Sequence, residues 1–246
     1  MTEIIDNILA RNVVKQFILR FEYDKMDQNT IGKVLADISP QFDRVEKQLV
    51  NHIEVNLESG LPKVVSNNLD VFLCILESRG LTLTFSQHDK SISFESTRYR
   101  NKDTYADILD IFAISFCKYA QSFVCKRMGM RFINNFPCES ISQVTKVFEP
   151  RLSSIVKGLI SSDNVSRAIA MEEFTFPDYK MRSQFGVVNK YYPEPIRVYD
   201  ALLDIDVYID VSVDHESYSE SAKKLNRIAY SHFIQCIKPS YLSKLK

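Results

Sequence analysis

Between Leu202 and Asp214 polar and apolar residues alternate, which on a strand puts Asp204, Asp206, Tyr208, Asp210, Ser212 and Asp214 on one face and Leu203, Ile205, Val207, Ile209, Val211 and Val213 on the other. Carboxylates spaced by two along one strand face are the oxygen donors that Mg²⁺ or Mn²⁺ takes in phosphoryl chemistry, so Asp204, Asp206 and Asp210 are the candidate ligands of a metal-dependent hydrolase or nuclease. The same alternation also describes a solvated or salt-bridged strand face, which is the commoner case. The chain has no His-Glu-x-x-His pattern, no Gly-x-Ser-x-Gly elbow and no glycine-rich phosphate loop to complete an active site. No catalytic, cofactor-binding or metal-binding residue is therefore assigned, and no cofactor is expected.

A second candidate cluster is basic. From Arg98 to Arg131 seven Lys and Arg face three Asp, with Arg98, Arg100 and Lys102 close together around Tyr99. Such a segment could hold phosphate and stack a base on the tyrosine. Mutual neutralisation is the plainer expectation, because residues 200–220 carry seven acids and no Lys or Arg. Arg131 lies in the middle of a strand pattern, where an unpaired buried charge is too costly to keep. It is expected to pair with Asp204 or Asp206 across a sheet.

The four histidines, His52, His88, His215 and His232, are far apart in sequence, and each is expected to be solvated or singly hydrogen-bonded. Five cysteines, Cys74, Cys117, Cys125, Cys138 and Cys236, have no two-residue spacing of the kind used by zinc ribbons and redox pairs, and they read as reduced core thiols. Cys117 and Cys125 would stand about 12 Å apart along one helix, too far for a disulfide.

Charge and hydropathy narrow the partners. The 31 basic and 31 acidic residues cancel, so no long-range field favours nucleic acid or an anionic membrane. No apolar run approaches the roughly 20 residues of a membrane helix, and residues 1–10 lack a basic leader pattern, so a cytoplasmic protein is expected.

The elements that would position these residues can be traced by period. Phe17, Leu19, Phe21 and Tyr23 alternate with Gln16, Arg20 and Glu22 in an opening strand. A short helix capped by Asn29 or Thr30 carries Ile31, Val34, Leu35 and Ile38 up to Pro40, and residues 42–59 are ambiguous, since Phe42, Val45 and Leu49 suit a helix while residues 52–57 alternate like a strand. A meander follows over 71–76, 81–85 and 92–94, with turns at residues 78–80 and 88–90. Tyr105, Ile108, Leu109, Phe112, Phe116, Tyr119 and Phe123 then mark a long helix capped by Asp103 or Thr104.

A strand over 128–133 comes next, then a weakly helical segment at 140–160 interrupted by Pro150 and Gly158. Strands over 165–172, 181–188 and 202–213 follow, with a rigid exposed loop around Tyr191, Pro193 and Pro195. A terminal helix capped near Ser217 or Ser219 places Leu225, Ile228, Ala229, His232 and Cys236 inward and ends at Pro239. Strands adjoin strands and helices arrive singly, which predicts an α+β fold: one domain over 1–246, with a mostly antiparallel sheet backed by two long helices, one of them C-terminal.

Residues 129–134, Gly-Met-Arg-Phe-Ile-Asn, are similar to the signature strand of a sporadically distributed prokaryotic family of unknown function, which reads roughly Gly-Leu-Arg-Tyr-Ile-Asn-Arg. The run Leu203-Asp204-Ile205-Asp206-Val207-Tyr208 resembles that family's second signature, and the opening strand, the passage from Ser91 to Phe123 and the last helix fall in its order. Asn135 stands where the family often has a basic residue, and Asn226 where many members have histidine. The resemblance implies no activity, substrate or cofactor. Its sporadic distribution suits an accessory or defence-linked gene product. The expectation is thus a non-enzymatic binding or assembly module with a protein partner or a second copy of itself, set against the hydrolase on the acidic strand and a nucleic-acid binder on the basic segment.

Overall fold

The computed structural model describes residues 12–58, 61–160, 162–210 and 212–245, with backbone alone over 51–58 and 61–68. Nine strands form a single antiparallel sheet in the order β2-β3-β4-β5-β1-β6-β9-β8-β7. They are β1 (Val14–Tyr23), β2 (Arg44–Glu58), β3 (Leu61–Leu76), β4 (Leu81–Ser86), β5 (Ser91–Ser96), β6 (Cys125–Phe136), β7 (Ala168–Thr175), β8 (Lys180–Val188) and β9 (Asp200–Ile209). Six α-helices accompany them: α1 (Gln28–Ile38), α2 (Ala106–Tyr119), α3 (Ile141–Val147), α4 (Pro150–Leu159), α5 (Tyr218–Cys236) and α6 (Pro239–Leu242).

The opening strand lies near the middle of the sheet, between β5 and β6. Its Phe17, Leu19 and Phe21 are fully buried, and the register carries that face onward through Met128, Met130 and Phe132 of β6 to Ile205, Val207 and Ile209 of β9. Phe112 of α2 packs on Phe21, Phe85 and Phe94, with ring centres 5.8, 6.2 and 5.5 Å away, and on Tyr218 of α5 at 6.2 Å. The helical stripe thus lies across the sheet, as its three- and four-residue spacing requires.

The helix layer differs in detail from two long helices. Only α5, at 19 residues, is long, while α2 has 14 residues and the expected cap residues precede it in a turn capped by Asn101. Ala120 ends α2, and Phe123 reaches the core from the following turn instead of from the helix. Asp27, two residues before the expected cap, accepts from the Thr30 backbone N–H at 2.8 Å and starts α1. Pro150 opens α4 at a position where a missing N–H costs nothing, so the weakly periodic 140–160 segment is two helices. The strand expected over 202–213 ends at Ile209; Val213 returns to the sheet only as an isolated bridge to Cys125, and Val211 lies outside the described residues. No helix among the described residues is long and apolar enough to cross a membrane.

Candidate functional site

The face of the sheet away from the helices carries the acidic strand. On β9 it presents Asp204, Asp206 and Tyr208, and Asp210 follows just past the strand's end. The register sets Arg131 and Arg182 on either side of Asp206, and Gly129 and Lys180 on either side of Tyr208. Arg131 reaches diagonally instead: its Nε and Nη2 donate to the two oxygens of Asp204 at 2.8 and 2.6 Å. That is the expected pair, made with a carboxylate that is almost wholly buried.

The remaining carboxylates are engaged as well. Arg127 donates to Glu22 at 3.1 Å and to Asp206 at 3.4 Å, lies 3.6 Å from Asp210, and rests its guanidinium 4.2 Å from the centre of the Tyr208 ring. Lys180 donates to Asp210 at 2.7 Å, and Arg182 to Glu173 at 2.9 Å. Gly129 makes the close packing possible, because a Cβ there would fall 3.3 Å from the Tyr208 Cβ and 3.6 Å from the Asp206 carboxylate.

Burial pushes the Asp206 carboxyl above the usual carboxylate range, against the pull of Arg127 and Arg131. Asp204 holds the Arg131 guanidinium charged through its hydrogen bonds. A divalent cation needs several oxygens converging on one point. Here Arg127 stands against both Asp206 and Asp210, Lys180 holds the second oxygen of Asp210, and both oxygens of Asp204 are engaged by Arg131. The arrangement neutralises charge across five strands.

The basic segment is not assembled around Tyr99. That ring is buried, stacked 4.7 Å from Phe17 and edge-on to Phe132 at 5.3 Å, so no base can stack on it. Arg98 lies over Gly80, which takes a left-handed φ of 56°, and donates to the Glu77 carbonyl at 3.3 Å; Arg100 is exposed. Alternation was the available signal, since two outward arginines flank an inward tyrosine.

The inward face of α5 brings two of its expected core residues into contact. His232 Nε2 and Cys236 Sγ, one turn apart on α5, lie 3.4 Å from each other in the core beside Phe174. Burial pushes the thiol up to about 12 and the imidazole below its usual value, so both are held neutral and no thiolate nucleophile forms. All five cysteines are free thiols. His52 has no described side chain.

The largest feature absent from the sequence reading is a two-stranded arm. All fifteen residues of β2 pair with β3, but β4 covers only residues 71–76 of the sixteen in β3. Sixteen less six leaves ten residues of β3, with their partners on β2, running past the rest of the sheet for about 34 Å at 3.4 Å per residue. β2 is also the first strand of the sheet, and among the described residues no strand pairs with its outer edge. At the root of the arm Leu49 is 64% exposed, and Val45 and Val50 are exposed with it. Ser59-Gly60 between two runs rich in β-branched residues was the sequence signal for this hairpin. The chain matches no family model and no curated protein.

Proposed function

We propose that this protein is a non-enzymatic binding or assembly module, and that its binding element is the β2–β3 arm. One observation carries the proposal: a ten-residue two-stranded extension with an open edge and exposed Leu49 and Val50 at its root. An isolated two-stranded ribbon is at best marginally stable in water, and a bare edge is a template for a further strand. Strand addition supplies affinity through main-chain hydrogen bonds and needs no reactive side chain. The hydrolase alternative asks Asp204, Asp206 and Asp210 to turn from the arginines and lysine that hold them toward a common ion.

The test is affinity capture from the native host with two baits, the full chain and a variant in which residues 49–70 are replaced by a tight turn. Far-UV circular dichroism and a cooperative melt establish that the variant folds. The full chain is expected to retain a specific protein, a second copy of itself included, and the variant to lose it. Equal retention by both baits would overturn the proposal.

A further inference from the structure

The arm's partner has a definable chemistry. β2 spans Arg44–Glu58, so its midpoint is Asn51, and laying two copies of the strand antiparallel about Asn51 overlaps all fifteen residues. In that register Arg44 of one copy stands opposite Glu58 of the other, Val45 opposite Leu57, and Leu49 opposite Ile53. Apolar positions 45, 49, 53 and 57 are symmetric about 51, and no like charges oppose each other anywhere along the overlap. Directly opposed side chains on adjacent strands are the pairs that stabilise a sheet, and opposed like charges destabilise it.

The neighbouring symmetric registers are poorer. Centring the pair on Val50 sets Glu46 against Glu54, and centring it on His52 sets Glu46 against Glu58. Each arrangement repeats that acid pair twice, because the two-fold axis copies every contact. Lys47 falls opposite Val55 in the Asn51 register, so the lysine that would guard an edge meets no second lysine there.

We infer that the partner is a second copy of this chain, joined edge to edge along β2 about a two-fold axis through Asn51, a step that rests on the arm being the binding element. The two nine-stranded sheets then continue as one, with both helix layers on the same side. Each bare edge is satisfied by the other, and the exposed Val45 and Leu49 gain opposite numbers. β7, the other end of the sheet, is shorter at eight residues and is not extended by an arm.

The test combines sedimentation with site-directed crosslinking of the full chain. Sedimentation is expected to show a dimer that dissociates on dilution. In Asn51→Cys the two substituted residues stand directly opposite each other on strands whose opposed Cα atoms are about 4.5–5.5 Å apart, within disulfide reach. Mild oxidation should therefore convert the variant to a covalent dimer, while the unsubstituted chain with its five native thiols stays uncrosslinked. Val45→Cys alone should not crosslink, but mixed with Leu57→Cys it should. A chain that sediments as a monomer at every concentration, a dimer in which Asn51→Cys does not crosslink, or crosslinking by Val45→Cys alone would each overturn the inference. The monomer result combined with arm-dependent capture of a different protein would leave the binding proposal standing; the monomer result with no arm-dependent capture would remove both.

Discussion

The centre of the sheet and its β2–β3 end share the same backbone chemistry and differ in what lies over them. At β1 and β6, Phe17, Leu19, Phe21 and Met130 are fully buried beneath a layer in which Phe112, Phe116 and Tyr218 touch one another. The arm has the longest continuous pairing of any two described strands, fifteen residues, yet Leu49 at its root is mostly exposed, and α1 meets the arm at its root, where Gln28 donates to Asp70. A complete ladder satisfies the backbone but buries little apolar surface, and stability comes from the second layer. A strand pair without that layer is an incomplete structure unless another chain supplies the missing neighbour.

The largest effect should follow from removing the layer where it exists. Phe112→Ala deletes a fully buried ring that meets five aromatic side chains, and we expect a loss of about 3–5 kcal/mol in guanidinium denaturation. A loss below about 1 kcal/mol would place the centre in the same class as the arm.

Next in size is the ion pair on the opposite face. Arg131→Met leaves the buried Asp204 carboxylate without its two hydrogen bonds. Because the Arg131 side chain is 41% exposed, the cost should fall between that of a surface pair and that of a buried one, on the order of 2 kcal/mol. Adding Asp204→Leu to Arg131→Met should recover much of the loss. No recovery would mean that Asp204 does more than neutralise Arg131.

A smaller effect, about 1 kcal/mol, is expected for Asp27→Ala, which removes the side-chain cap of α1. The backbone N–H of Thr30 holds the Asp27 carboxyl below its usual range, so its contribution is present above the unfolded-state value and lost as pH falls through the folded one. Asp206 has the opposite sign: its carboxyl is raised, so stability declines as pH rises from the unfolded-state value through the folded one. Asp206→Asn should flatten that decline in denaturation series across the acid range, and Asp27→Ala should flatten the acid-side loss.

The smallest stability change should come from the arm. Leu49→Lys is expected to shift global stability by no more than about 0.5 kcal/mol, since the side chain is exposed, while sharply reducing capture of the partner.

The two regions also differ in how far they can be read from sequence. Burial imposes a period, so the alternation of β1 and the stripe of α2 declare themselves, and the charge in mid-strand announced the Arg131–Asp204 pair. The partner was chosen by geometry that residue spacing does not carry: Arg131 lies opposite Asp206 in register but bonds diagonally. The alternation runs on past the end of β9 at Ile209 because Val213 is also buried, at an isolated bridge to Cys125 beyond the ladder. For residues 44–50 of β2 the described side chains are mostly exposed, so no burial period separates strand from helix, and only the hairpin turn marks the boundary.

Hydrogen exchange across a dilution series tests the central claim most directly, because it compares both regions in one sample. Amides of β1 and β6 should exchange slowly at every concentration, whereas those of β2 should be protected when concentrated and exchange rapidly on dilution. Protection of β2 that is the same at all concentrations would contradict the account, since the arm would then need no second copy to complete it.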